Sequence, residues 1–379
     1  MKETQILIIG AGPAGLAVAG SLVKQGVEDF VVLEASETVG SSWRSHYDRL
    51  HLHTVKQLSS LPHKPFPEKY PLYVPRELVV EYLEDYATTF NIKPLFGHKV
   101  TSVSKSDDHW IVKSKSGKWK TTHLVIATGV NNVPKIPSWK GMDEFQGEII
   151  HSRYYKNPKA FQGFTTLIIG MGNTGAEVAL DLANHDVDTY ISVRGPISLV
   201  PRDLNGQPVQ LTAKKLAKIP FGLGDWLGSQ IRKIYFGNVE RFGLTISKMH
   251  PAVQLRETGK TPVIDIGTIA AIKAGKVKVL KDIKSFTSTG VVTVDDREVR
   301  IDKVILATGY LANLTSFIDG VASHLDEHGL PTSPVATGSL DRLYFIGFDN
   351  YKLGGILGTI RDDSQVIAEA IAKEYQVQI

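Results

Sequence analysis

The chain contains no cysteine. That excludes structural disulfides, a Cys-x-x-Cys redox pair and thiolate metal sites. Nor does it contain an uncharged apolar run of roughly eighteen or more residues, the length that a bilayer-spanning helix needs. Strand-like residues begin by about Gln5, which leaves no room for the charged and apolar regions of a signal peptide. The expectation is a soluble, cytoplasmic protein without a transmembrane segment. A Lys/Arg block is also missing: 43 basic and 39 acidic side chains are spread along 379 residues for a net charge of +4. Nucleic acid is therefore not an expected partner, and the mild excess suits anionic small ligands at most. With 42% hydrophobic residues, the chain can fill two domains or one large one.

What is present is a repeat. The stretch ILIIGAGPAG runs from Ile6 to Gly15, and LIIGMGNTGAEV from Leu167 to Val178. Each carries Gly-x-Gly-x-x-Gly where a short β-branched run feeds a segment of small apolar residues, so each reads as strand, turn, helix and then a second strand. In Gly10, Gly12 and Gly15, the first glycine permits a tight turn, the second lets a pyrophosphate approach the backbone, and the third lets helix and strand pack closely. Gly170, Gly172 and Gly175 repeat the device. Pro13 and Ala14 in the first turn, and Asn173 and Thr174 in the second, complete the candidate phosphate contacts at the two helix N-termini.

Nineteen residues past the third glycine, the first unit has Glu34 and the second Arg194. A carboxylate there accepts hydrogen bonds from ribose hydroxyls and repels a 2′-phosphate, so the first site should hold FAD or NAD. A guanidinium pairs with a 2′-phosphate, and Arg202 supplies a second cation, so the other site should prefer NADPH.

Both units continue alike, with alternating apolar residues suggesting an antiparallel meander that ends in a buried strand and Ala-Thr-Gly at 127–129 and 307–309. Thr128, Gly129, Thr308 and Gly309 bring backbone towards the domain junction and are candidate cofactor contacts. Tyr310 either stacks near the cofactor or packs. The run RLYFIGF then returns to the first sheet, ahead of a helix at about 363–375. The fold expected is α/β, with two Rossmann-like dinucleotide-binding domains, the NADPH domain inserted in the FAD domain. The boundaries read as 1–161 and 311–379 for the FAD-binding domain and 162–310 for the NADPH-binding domain. Between 211 and 242, apolar residues at mixed helical spacing read as packed helix, a membrane-surface element or a substrate entrance.

An acid-marked and an arginine-marked site in one chain imply electron flow from NADPH to a bound flavin. Disulfide reductases share this plan but need a cysteine pair, so O2 is the most available acceptor. FQGEIIHSRYY sets Phe145, Gly147, His151 and Tyr155 in the pattern F-x-G-x-x-x-H-x-x-x-Y just ahead of the second glycine motif. This resembles the identifying sequence of class B flavin-containing monooxygenases; their Baeyer–Villiger relatives usually carry Trp where Tyr155 stands. HYDRLHLHTVKQLSSLPHKPFP, ISVRGPISLVPRD, GNVERFG, GKTPVIDIG and ILATGY are similar to the plant YUCCA-type flavin monooxygenases in particular. The C-terminal GFDNYKLGGILG matches only loosely.

The resemblance implies an FAD-dependent NADPH:O2 monooxygenase that works through a C4a-(hydro)peroxyflavin on a small organic substrate, such as an indolic 2-oxo acid undergoing oxidative decarboxylation. The alternatives are an N- or S-oxygenating flavin monooxygenase, or a non-oxygenating FAD/NADPH redox-responsive binding protein. It further implies Trp43 and Arg44 beside the flavin, and Gln57, with Lys56, as the candidate catalytic pair near the oxygen adduct. His51 and His53 share a strand face at metal-like spacing, but no third ligand is evident. No metal is expected; a flavin contact or a packed imidazole is the expectation instead, with His53 among the candidate cofactor contacts. His151 reads as an interdomain linker in preference to a general base. Oligomeric state is left open, a homodimer included.

Overall fold

The computed structural model describes residues 1–216, 223–258, 261–349 and 355–377. The chain divides into two compact units, one of Met1–Ser45, Thr54–Val133 and Tyr310–Ile379, the other of His46–His53 and Pro134–Gly309. The second is thus inserted in the first in chain order.

In the first unit, strand Lys2–Ile9 pairs in parallel with Val31–Leu33 on one side and Gly117–Ile126 on the other. The half of Lys2–Ile9 that ends at Ile9 is fully buried, as continuous Ile-Leu-Ile-Ile requires. Besides Lys2–Ile9, strand Gly117–Ile126 serves two further neighbours: its first half pairs antiparallel with His109–Ser114, completing the expected meander with Val100–Ser106, and its last residues pair in parallel with Leu343–Phe345. The chain therefore does return to the first sheet through RLYFIGF. Helix Pro13–Lys24 starts with proline at its first turn, where the missing N–H is harmless. It packs against the C-terminal helix Gly355–Val377, which is longer than the sequence reading of 363–375.

The second unit holds an all-parallel sheet in the order Val277–Leu280, Thr189–Ser192, Thr166–Ile169, Lys303–Leu306, Glu148–His151. Helix Asn173–Asn184 joins its two fingerprint strands. A separate antiparallel meander is formed by Ile283–Thr287, Gly290–Thr293 and Glu298–Arg300.

The boundaries differ from 161/162. Glu148–His151 pairs residue for residue with Lys303–Leu306, so the compact unit begins at Pro134, upstream of the glycine motif. His46–His53 also belongs to this unit, which periodicity alone did not suggest. Of the 211–242 segment, 217–222 lie outside the described residues. The flanking stretches are helices Val209–Leu216 and Leu223–Phe236. Phe236 is buried, while Ile234 is 83% exposed, so the apolar residues there do not all pack. Among the described residues, no helix is long and apolar enough to cross a membrane.

Candidate cofactor sites

The two glycine turns have nearly the same backbone. Gly12 precedes its helix at φ −81°, ψ −174°, and Gly172 precedes its own at φ −86°, ψ −173°; neither helix has a side-chain cap. Their first N–H groups are therefore left for an anion.

The glycines divide by role. A Cβ at Gly10 would stand 2.5 Å from the Ala127 carbonyl oxygen, and one at Gly170 2.6 Å from that of Ala307. At Gly15 and Gly175 it would stand 1.9 and 2.0 Å from the carbonyl oxygens of Gly10 and Gly170. These four glycines are required by packing. At Gly12 and Gly172 an added Cβ meets nothing within 4 Å among the described residues. That open space over a bare helix N-terminus fits a dinucleotide pyrophosphate.

In the first unit, the Glu34 carboxylate is buried and closes the turn. The Ala11 N–H donates to Oε2 at 2.7 Å, and the Ser36 N–H and hydroxyl donate to Oε1 at 2.8 Å each. Free lone pairs remain for ribose hydroxyls. Trp43 is half-buried on the short helix Ser41–Ser45, and its backbone N–H donates to the Gly40 carbonyl at 3.0 Å. Arg44 turns its guanidinium to Glu84 and donates from Nε to the Val39 carbonyl at 3.3 Å. The Thr128 hydroxyl is buried without a hydrogen-bond partner among the described residues, beside Gly129 at φ +75°. A buried orphan hydroxyl next to the turn suits a cofactor contact.

Lys56 and Gln57 open helix Lys56–Ser59. The Lys56 ammonium donates to the carbonyls of Glu68 and Tyr70 at 2.6 Å each, with that of Pro67 at 3.5 Å. Its three protons are thereby directed at one loop, a structural use that the sequence reading had not given it. Gln57 is exposed.

In the second unit, Asn173 donates from Nδ2 to the Pro262 carbonyl at 3.2 Å and accepts from the Ile264 N–H at 2.7 Å. Its amide thus staples strand Val263–Asp265 beside the turn. Thr174 is half-buried next to it. Arg194 is exposed and pairs with no carboxylate among the described residues, whereas Arg202 holds Asp203 at 2.9 Å. Among the described residues, Arg194 thus has no carboxylate that a phosphate would have to displace. The Thr308 hydroxyl donates to the Lys135 carbonyl at 2.5 Å. Gly309, at φ +83°, turns its carbonyl to the Lys135 N–H at 2.9 Å. Tyr310, half-buried, follows that turn as the first residue counted in the first unit.

The residues of the F-x-G-x-x-x-H-x-x-x-Y pattern each have a local task. Phe145 packs edge-on against Phe286, with ring centroids 5.6 Å apart. Gly147 lies where a Cβ would stand 2.3 Å from the Asp302 carbonyl oxygen. His151 is buried; its Nδ1 accepts from the Arg153 N–H at 3.1 Å, which leaves Nε2 to donate to the Gly309 carbonyl at 3.1 Å. Burial lowers its pKa below 6.5, against a smaller raising effect of the Gly309 bond. The Tyr155 hydroxyl donates to Asp181 Oδ2 at 2.7 Å, and burial followed by that carboxylate pushes the phenol far up.

His53, expected as a flavin contact or a packed imidazole, lies in the second unit with its ring paired to buried Glu177. His51 is exposed, with Nδ1 at 2.6 Å from the Arg49 carbonyl oxygen. Glu177, Asp181 and Arg49 escaped the sequence reading. The available signal was two acids four residues apart inside an otherwise apolar helix.

A family model described as flavin-binding monooxygenase-like matches residues 3–330. A probable indole-3-pyruvate monooxygenase of Arabidopsis thaliana is 36% identical over 375 residues, covering 97% of this chain and 90% of the relative. An indole-3-pyruvate monooxygenase of Oryza sativa subsp. japonica is 37% identical over 387 residues, covering 100% and 93%. Among solved structures, the cyclohexanone monooxygenase from Rhodococcus sp. Phi1 bound to NADP+ superposes with a TM-score of 0.76 at 19% identity, covering 99% of this chain and 85% of that one. At that identity the likeness speaks for the fold.

Proposed function

The chain belongs to the flavin-binding monooxygenase-like family and is a flavin-dependent monooxygenase using FAD, NADPH and O2; from that premise we propose that its substrate is an indolic 2-oxo acid of the indole-3-pyruvate class. The reaction is oxidative decarboxylation. The 2-oxo acid, O2, NADPH and a proton give the acid one carbon shorter, CO2, water and NADP+.

Each compact unit then acts as a dinucleotide-binding domain of the Rossmann type, with the NADPH domain inserted in the FAD domain. Bound there, FAD supplies hydride acceptance and oxygen activation, and NADPH supplies the hydride. The chain's own residues hold these groups. The open face of Gly12 and the helix N-terminus at Pro13 take the FAD pyrophosphate, with Glu34 on the ribose. Gly172 and the N-terminus at Asn173 take the NADPH pyrophosphate, with Arg194 on the 2′-phosphate. Gln57, exposed beside the anchored Lys56, is the amide offered to the reacting oxygen.

The observation that carries this reading is the pair of turns, alike in backbone, with buried Glu34 at one and, at the equivalent place in the other, Arg194, exposed and without a carboxylate partner among the described residues. Aerobic turnover with indole-3-pyruvate, an amine and a thioether tests it. NADPH loss matched by the indolic acetic acid and CO2 supports the proposal. Matched product only from the amine or thioether would replace it with N- or S-oxygenation.

A further inference from the structure

Helix Asn173–Asn184 carries two carboxylates that the cofactor turn does not use. Glu177 and Asp181 are 2% and 5% exposed, four residues apart on one face of a helix otherwise rich in alanine, valine and leucine. Carboxylates buried so deeply are costly unless they are paired. Their partners come largely from a single short stretch. His53 pairs with Glu177, and Arg49 Nη1 lies 3.7 Å from Asp181 Oδ1. Two bases four residues apart thus meet two acids four residues apart. The Tyr155 hydroxyl and the His185 ring complete the surroundings of Asp181, at 2.7 Å from Oδ2 and 3.6 Å from Oδ1.

The same stretch is tied down elsewhere. The Asp48 N–H donates to the Lys156 carbonyl at 2.9 Å, Asp48 Oδ2 accepts from Asn157 at 2.9 Å, and Tyr47 is buried against Tyr155 with centroids 6.3 Å apart. His46–His53 is therefore built into the second unit, while the chain up to Ser45 and from Thr54 is counted in the first. Trp43 stands just before the strap, and Lys56 and Gln57 just after it.

We infer that Glu177 and Asp181 are positioning residues. They lock the strap His46–His53 onto the helix whose N-terminus receives the NADPH phosphates, and so hold the chain that leads into Trp43 and Gln57. The inference rests on NADPH binding at Gly172. It gives Tyr155, the last residue of the monooxygenase pattern, a task in this lock: its hydroxyl holds Asp181 Oδ2, while Arg49 of the strap lies at Oδ1.

The test uses the holoenzyme and the double variant Glu177→Gln, Asp181→Asn, which keeps shape and removes charge. Hydrogen exchange in 46–53 should rise about tenfold or more, while helix 173–184 changes less than about twofold. Anaerobic flavin reduction at saturating NADPH should slow about fivefold, with the half-saturating NADPH concentration moving less than about twofold. Unchanged exchange in 46–53, or a reduction rate equal to wild type, overturns the inference. Should the double variant not fold, Tyr155→Phe keeps the ring and loses only the hydroxyl bond, and the same two readouts decide with about threefold effects expected. If Arg194→Ala leaves NADPH preference intact while the strap loosens as expected, the error lies in the cofactor placement and not in the lock.

Discussion

The Nε2 atom of His151 lies 3.1 Å from the carbonyl oxygen of Gly309, while its Nδ1 takes the Arg153 N–H. The ring is thus a neutral clamp between strand Glu148–His151 and the Ala-Thr-Gly turn, with both nitrogens occupied. A general base would need a nitrogen free to take a proton. His151→Gln, which can still donate to Gly309, should keep kcat within about fivefold, where loss of a general base costs about 10²–10⁴-fold. His151→Ala should lose about 2–3 kcal/mol of stability from the cavity and the missing bond. Steady-state kinetics and urea unfolding of the two variants separate the roles.

The four packed glycines and the two open ones make opposite predictions. Gly15→Ala and Gly175→Ala drive a methyl into a backbone carbonyl and should not yield folded protein. Gly12→Ala and Gly172→Ala have ordinary φ and empty space, so they should cost no more than about 1 kcal/mol of stability. If the pyrophosphates sit at these turns as proposed, the methyl takes their place. Gly12→Ala should release FAD on gel filtration, and Gly172→Ala should retain FAD but raise the KM for NADPH about tenfold or more.

Arg194, the primary cation at the offset of Glu34, and Arg202, the added one, differ in their surroundings. Arg202 is engaged by Asp203, and Arg194 has no carboxylate partner among the described residues. A charged hydrogen bond to a phosphate contributes about 1.5–3 kcal/mol, so Arg194→Ala should raise the KM for NADPH about 10–150-fold and leave NADH within about threefold. Arg202→Ala should do less. Equal losses for both nucleotides would show that no 2′-phosphate is read at Arg194.

What the sequence made legible was whatever local spacing encodes. The strand–turn–helix around Gly10 and Gly170, the meanders, the return of Leu343–Phe345 to the first sheet and the opposed charges of Glu34 and Arg194 all follow from period and offset. Hidden were pairings made at long sequence distance. Nothing local tells that Glu148–His151 pairs with Lys303–Leu306, so the boundary was set too late. Nor does local pattern tell that His53 meets Glu177, so spacing alone does not separate a flavin contact from a packed imidazole. The side chains of Lys56 and Asn173 likewise meet backbone groups that no local spacing encodes, the carbonyls of Glu68 and Tyr70 for the ammonium and the Pro262 carbonyl and Ile264 N–H for the amide.

His123 predicts an acid-side instability. It is 1% exposed in the first unit, its Nδ1 is 3.2 Å from the Tyr344 hydroxyl, and its ring stacks on Tyr344 at 6.1 Å. Burial brings its pKa from 6.5 down to about 4, with Glu374 pulling it back slightly and Arg342 adding to the fall. The folded state holds the neutral ring while the unfolded chain takes a proton from pH 6.5 downward. Stability is therefore full above 6.5 and falls as pH drops towards 4, by up to about 3 kcal/mol. His123→Phe, which keeps the stack, should flatten that fall in urea titrations at pH 7.5 and 4.5. An unchanged slope would assign the acid sensitivity to other groups.

Lys56 and Gln57 are adjacent in sequence and opposite in circumstance. Lys56 directs its ammonium into the loop at Glu68 and Tyr70, so Lys56→Met should lower stability by about 1–3 kcal/mol through unsatisfied carbonyls. Gln57 is exposed, so Gln57→Leu should leave the melting temperature within about 2 °C. If the Gln57 amide faces the reacting oxygen, that variant should divert electrons to H2O2, raising the peroxide formed per NADPH about threefold or more at unchanged NADPH KM. Peroxide yield and melting temperature, measured on the same two variants, should move independently. A rise in peroxide with Lys56→Met at intact stability would return the ammonium to the chemistry; coupled turnover by Gln57→Leu would remove the amide from it.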